Sequence, residues 1–477
     1  MKRKSLNNLL LIAALIAATG AAMAYSSHSS SLFSANLNSD AGQHYRSGNG
    51  ILAISGHLIQ DKVLRGSDGT IGLNLTLQAE QSAATTGAQI RSVDMVIVLD
   101  RSGSMKGRKI VDARRAVLRL LSDLTIADRF ALVTYSDGAH IAATLQTVTA
   151  DNRRHMESAV NAVRVGGGTN LGAGLQAGIN LLRSSKRGTN AAKVILISDG
   201  LANQGIVDVQ ALSGIASAAV EGEFAVSTVG VGTEFNEQLM TAIANRGTGS
   251  YYYLENPAAF AEVFQKEFHD TRASIAGNLK IEIPLSDGID LVDAAGYPIS
   301  RRDHTAVFYP GSMHAGQIRK LYLTLRVPTN LNRQYELKQV KVAYHHDNRV
   351  FETTLDGSFK IACVDDPQKV YSSIDKVGWS NKVINDDFNR LKEEVAADLK
   401  SGKKEKAMKR IEVYYDQQQA VNATVGSARV AQNLDKDVKE LEAYVEETFQ
   451  GPPEAVRQKQ KSNAKILQYD GYRGRRK

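Results

Sequence analysis

Asp100, Ser102 and Ser104 stand at alternate positions in Asp100-Arg101-Ser102-Gly103-Ser104, directly after the apolar run 95–99. One carboxylate and two hydroxyls at alternate positions of a tight loop can turn towards a single point. All three are hard oxygen donors, which suit Mg²⁺, Mn²⁺ or Ca²⁺ better than softer metals. Two later segments carry matching groups. Gly166-Gly167-Gly168-Thr169-Asn170 is a flexible loop ahead of a helical pattern and offers a third hydroxyl, Thr169. Ser198-Asp199-Gly200 ends the apolar run 194–197 and offers a second carboxylate. Two carboxylates leave a dication with electrophilic character, so a carboxylate from another protein is a favourable further ligand.

These groups need a scaffold that brings loops to one edge. Over residues 92–272 short apolar runs alternate with helical patterns. The strand candidates are 95–99, 130–135, 140–145, 194–197, 224–231 and 251–254. The helix candidates are 109–124, 153–164, 171–184, 207–221, 237–245 and 257–269. Such alternation predicts an α/β fold with a doubly wound, mostly parallel sheet. In that fold ligands bind beyond the carboxyl ends of the strands, where strand order reverses. Each of the three loops follows a strand or precedes a helix on that edge.

At this point the sequence resembles von Willebrand factor A-type domains, as in integrin I domains. Asp100, Ser102 and Ser104 match the first loop of that family's metal-ion-dependent adhesion site, Thr169 the second and Asp199 the third. The likeness covers about residues 93–270 in order and spacing. It implies that the hydroxyls ligate the cation directly, that the carboxylates ligate directly or through water, and that one position stays open for an acidic residue of a partner.

Other regions frame this domain. Lys2, Arg3 and Lys4, the apolar run 9–22 and Ala22-Met23-Ala24 read as a signal peptide over 1–24, which implies a periplasmic or secreted protein. Residues 25–49, rich in Ser, Asn and Gly, read as a disordered leader. Residues 50–91 and 277–364 alternate at period two, which predicts an antiparallel β-sandwich. The early strands are too few to cover a core, so the α/β domain is expected to be inserted into the sandwich or flanked by it. Residues 367–450 read as helical, with Ser401-Gly402 as a hairpin turn. Residues 451–477 read as a basic, disordered tail able to touch an anionic envelope surface. No run after the signal is long and apolar enough for a transmembrane segment.

The formal charge of +8 is concentrated at the two ends, and the body between them is near neutral. A basic nucleic-acid surface is therefore not indicated. Cys363 is the single cysteine, so no internal disulfide exists, and its strand-like flank places it as a buried small apolar residue. Gly172-Ala173-Gly174 imitates a dinucleotide loop, but does not follow a strand directly, so helix packing explains it better. His345-His346 reads as a solvated pair near a hairpin, and Asp137 as a turn residue. The loops offer no spare His or Glu as a general base. The expected function is a non-enzymatic module that binds a partner's acidic residue through the cation. The alternatives are a scaffold or assembly factor binding through its helical or β regions and, ranked lower, a metal-dependent hydrolase.

Overall fold

The alternation of short apolar runs with amphipathic stretches produces a six-stranded sheet in the middle of the chain. It is assembled from β5 (Val93–Asp100), β6 (Arg129–Tyr135), β7 (Ala139–Thr147), β8 (Ala191–Ser198), β9 (Ala225–Val231) and β10 (Thr248–Leu254), in the order β10-β9-β8-β5-β6-β7. Every pairing is parallel except that of the edge strand β7. All eight residues of β5 are buried, as a central strand covered on both faces requires. On one face lie α1 (Arg108–Asp123), α2 (Ala150–Ala162) and α6 (Phe260–Ala273). On the other lie α3 (Leu171–Arg183), α4 (Val209–Glu221) and α5 (Glu237–Arg246). The glycines of the apparent dinucleotide loop are packing residues: a Cβ on Gly174 would lie 2.6 Å from the Tyr135 ring. Their absence of side chains lets α3 approach the sheet closely.

The structure is a computed structural model and describes residues 44–81, 91–185, 188, 190–347 and 349–476. Residues 41–477 make one compact unit. The expected signal peptide lies outside the described residues, as does most of the expected leader. Its last part is not disordered: β1 (His44–Asn49) pairs antiparallel with β2 (Leu52–Leu58). The Ser- and Gly-containing composition of that stretch hid the strand, because β1 gains its backbone bonds from a neighbour rather than from apolar alternation.

The α/β unit is an insertion. Strand β4 (Thr70–Ala79), which precedes it, pairs along its length with β15 (Ile318–Arg326), which follows it. Together with β1, β2 and β12 (Asp290–Ala294) they form one antiparallel sheet. A second sheet runs β13 (Ser300–Arg302), β14 (Thr305–His314), β11 (Ser274–Pro284), β17 (Lys341–His346) and β18 (Arg349–Thr354). Both sheets bury one core, in which Leu73, Leu75, Leu323, Ile281 and Tyr344 are inaccessible. A small third sheet joins β3 (Lys62–Leu64), β16 (Gln334–Lys338) and β19 (Ser358–Val364). Cys363 on β19 is buried, as expected, and burial pushes its thiol pKa up.

The C-terminal region is helical, with α7 (Phe388–Lys400) and α8 (Lys404–Val425) joined by the turn at Ser401-Gly402 and followed by α9 (Lys439–Thr448). No helix among the described residues is long and apolar enough to cross a membrane. Residues 451–477 correct the expectation of a disordered tail. They form α10 (Pro453–Gly474), which packs on α7 and reaches the α/β unit. Two basic residues of this segment, Lys465 and Arg475, are used internally. The Lys465 ammonium donates to Glu237 at 2.6 Å and to the Phe235 carbonyl at 2.8 Å. The Arg475 guanidinium, 6% exposed, donates to Asp386 at 2.7 Å, to Asp293 at 2.5 Å and to Glu393 at 3.3 Å. These two charges are paired and buried, whereas Arg457 and Lys461 keep 69% and 49% of their side chains exposed. A polar helix of low amphipathicity looks disordered in sequence when its burial is carried by ion pairs.

Removing one partner from a buried charge cluster leaves the others uncompensated. Arg475→Ala is therefore expected to lower the unfolding free energy by about 3–5 kcal/mol, measured by urea denaturation. A disordered tail would show no change.

Candidate metal centre

The strand order reverses around β5, so the crevice at the carboxyl ends of β5 and β8 is the topological switch point. Asp100 is the last residue of β5, and Asp199 directly follows β8. Both are fully buried, Ser102 and Thr169 are nearly so, and Ser104 is exposed, so the cluster opens to solvent on the Ser104 side.

The bonds inside the cluster are short and specific. The Ser102 amide donates to Asp100 Oδ1 at 2.7 Å, and the Ser198 hydroxyl donates to Asp100 Oδ2 at 3.0 Å. The Ser104 hydroxyl donates to Asp199 Oδ1 at 2.7 Å and lies 3.0 Å from the Ser102 hydroxyl. Thr169 comes to the same place from another direction. A Cβ placed on Gly200 would stand 3.3 Å from the Ser104 hydroxyl oxygen and 3.6 Å from that of Thr169. The absence of a side chain at Gly200 therefore keeps open the space that the two hydroxyls share. All five residues selected from the sequence are brought together.

The second loop is held from outside the cluster. The Asp137 carboxylate accepts from the Gly168 amide at 2.6 Å and from the Gln204 side chain at 2.7 Å. These bonds, the Gly168 amide above all, hold its pKa below the usual carboxylate range. Asn203 fixes Thr169 itself: its side chain accepts from the Thr169 amide at 2.8 Å, and its amide donates to the Thr169 carbonyl at 3.1 Å. The Gly103 amide donates to the Gly167 carbonyl at 3.1 Å, which ties the first loop to the second. Gly167 has φ +82°, and a Cβ there would lie 2.5 Å from Asp137 Oδ2, so a side chain would break this clasp. Asp137 is thus more than a turn residue: it links the turn after β6 to both other loops.

Two groups escaped the sequence reading. Ser198 orients Asp100, and its position in the strand-end triplet was the available signal. Lys109, at the start of α1, donates to Asp199 Oδ2 at 2.5 Å and to the Ser104 carbonyl at 3.4 Å. A lysine in a helical pattern carries no sign that it folds back onto a loop.

The residues fit a hard divalent cation. Burial, the largest influence, raises the Asp100 pKa to about 6, and the neighbouring Asp199 charge adds to it, against the hydrogen bonds from Ser102 and Ser198. Asp100 is therefore an under-compensated carboxylate, and a positive charge at the cluster would favour its ionised form. The ammonium of Lys109 is the one such charge in direct contact with the cluster among the described residues. The remaining donors are neutral hydroxyls, and among the described residues no three His, Cys, Asp or Glu side chains are grouped so as to hold a metal ion. The cluster therefore has the character of a carboxylate-poor oxygen site, unlike a His- or Cys-based transition-metal site.

The comparisons agree with this architecture. A family model described as the von Willebrand factor type A domain matches residues 94–266. The chain is 27% identical over 268 residues to YfbK of Escherichia coli K12, covering 55% of this chain and 46% of that protein. It is 25% identical over 209 residues to inter alpha-trypsin inhibitor, heavy chain 4, of Mus musculus, covering 42% of this chain and 22% of that one. The match thus spans half or less of either relative's length. Among solved structures, a von Willebrand factor type A protein from Catenulispora acidiphila superposes with a TM-score of 0.65 at 16% identity, over 91% of this chain and 99% of that one. The ArnB paralog VWA2 from Sulfolobus acidocaldarius gives 0.52 at 17% identity, over 88% and 99%. These two likenesses extend to the fold well beyond the α/β unit. Residues 94–266, with the switch-point crevice at their carboxyl edge, are a von Willebrand factor type A domain.

Proposed function

We propose that this chain is an exported, non-enzymatic protein-binding module. In this reading Asp100, Ser102, Ser104, Thr169 and Asp199 hold a divalent cation, Mg²⁺ in the first place and Mn²⁺ or Ca²⁺ as alternatives. The cation and its rim grip an acidic side chain of a partner protein. The observation that carries the reading is the convergence of two buried carboxylates and three hydroxyls from three separate loops on one crevice that opens to solvent. Von Willebrand factor type A domains generally bind proteins and often do so with a divalent metal, which supports the assignment.

The rim adds chemistry of its own. Leu201, Ile206 and Val207, in the loop after Asp199, are 57%, 47% and 54% exposed. Apolar side chains clustered beside a cation suit a partner whose acidic residue has hydrophobic neighbours. Hydrolysis is the weaker reading, since no His or Glu contacts the cluster among the described residues. A scaffold or assembly factor binding through its helical or β regions is the second reading, and there α10, which supplies Tyr472 to the core of the α/β unit, would present a fixed surface.

Asp100→Ala and Thr169→Ala are each expected to abolish Mg²⁺-dependent capture of a partner from cell-envelope extract while leaving the fold, read by circular dichroism, intact. Unchanged capture by both variants would contradict the proposal. The Lys109 ammonium and a dication compete for the Asp199 carboxylate. Lys109→Met is therefore expected to enlarge the rise in melting temperature that Mg²⁺ produces over EDTA. A rise equal to that of the unaltered protein would show that Lys109 and the metal do not share Asp199.

A further inference from the structure

The two carboxylates of the metal cluster are met in different ways. Asp100 receives neutral donors, the Ser102 amide at 2.7 Å and the Ser198 hydroxyl at 3.0 Å. Asp199 divides its oxygens. Oδ1 accepts from the Ser104 hydroxyl at 2.7 Å, and Oδ2 accepts from the Lys109 ammonium at 2.5 Å. The Asp199 side chain is 0% exposed and that of Lys109 28%, so the ion pair is held largely out of water. The ammonium also lies 3.4 Å from the Ser104 carbonyl, and a Cβ on Gly232 would stand 3.7 Å from it. Lys109 is thus seated among the loops that follow β5, β8 and β9.

Helix stability does not account for this lysine. Lys109 is the second residue of α1, whose first turn holds no acidic residue and whose N-cap, Gly107, offers no side-chain cap. A cation there opposes the helix macrodipole, which favours negative charge at an amino end. The interaction that offsets this cost is the pair with Asp199.

Charge counting gives the pair a role. With both acids ionised, two carboxylates and one ammonium leave the cluster a single negative charge. Of the partly or fully exposed charges nearby, Asp137 and Arg101 oppose each other, while Lys106 and Arg108 add positive charge. A dication held by the cluster therefore leaves it one positive charge, and a single partner carboxylate restores neutrality. Without the lysine, two carboxylates and a dication would already be neutral, and the attraction for a further carboxylate would fall.

We infer that Lys109 sets the charge of the metal centre: by neutralising one side of Asp199 it weakens the hold on the cation and strengthens the hold on the partner's carboxylate. The inference rests on the metal-binding reading above and deepens it. Lys109 acts through Asp199 and is a positioning residue, so it opposes metal affinity to partner affinity at one side chain. A lysine that only braced Asp199 would, when lost, weaken both.

The test uses the full chain and two probes, Mn²⁺ followed by electron paramagnetic resonance and the capped tripeptide acetyl-Leu-Glu-Leu-amide, whose leucines suit the apolar rim. Peptide binding is read from the water-proton relaxation of bound Mn²⁺, which falls as a carboxylate displaces a water. Lys109→Gln keeps a donor for Asp199 and removes the charge. It is expected to bind Mn²⁺ about tenfold more tightly, and the peptide about tenfold more weakly, than the unaltered protein does. Lys109→Met, which lacks the donor, should shift both affinities in the same directions. Lys109→Arg keeps the charge and should leave both close to those of the unaltered protein. Both affinities lowered together in Lys109→Gln, or both unchanged, would overturn the inference while leaving the metal centre standing. So would the lack of any peptide effect on the unaltered protein at millimolar concentration. No bound Mn²⁺ in the unaltered protein would overturn both readings.

Discussion

The burial of Asp100 and Asp199 at the carboxyl edge of one parallel sheet constrains everything around them. A carboxylate removed from water is costly unless hydrogen bonds or an opposite charge replace its hydration. Here the replacement is assembled from backbone and hydroxyl donors on separate loops: the Ser102 amide, the Ser198 hydroxyl and the Ser104 hydroxyl. Those donors are in place only if β5 and β8 lie side by side in register, which the parallel pairing from Val93 with Ala191 to Leu99 with Ile197 provides. The apolar core on both faces of β5 thus serves to hold two polar groups in one position.

The rest of the chain keeps that sheet from loosening. The unit leaves β4 and returns at β11, and the pairing of β4 with β15 ties its two ends together within the sandwich. Helix α10 then crosses back to the α/β unit and clamps it with charge: Lys465 and Lys400 converge on Glu237, while Arg475 joins the helical region to Asp293 of the sandwich. Buried ion pairs contribute little net stability compared with an apolar core, but they penalise any arrangement that separates the partners. Three regions are held in one arrangement in this way, with Ser104 of the first loop left exposed.

The parts legible in the sequence are those with a local signature. The run 95–99 could be recognised as a central strand because all its residues are apolar, and the three loops because each bears an oxygen donor at a strand end or helix start. The helix hairpin at Ser401-Gly402 was legible from its turn residues. What escaped depends on pairing that composition does not show. Strand β1 is specified by its hairpin with β2, and α10 by ion pairs to residues as far as 228 positions away. Lys109 is 90 positions from the aspartate it meets.

The central claim is that the three loops hold one dication. The direct measurement is to titrate the purified chain with Mn²⁺ and count bound ions by electron paramagnetic resonance, in the unaltered protein and in Asp199→Asn. The account predicts one bound ion per chain, displaced by Mg²⁺, and its loss in the variant. No bound ion in the unaltered protein, or the same ion retained in Asp199→Asn, would contradict it.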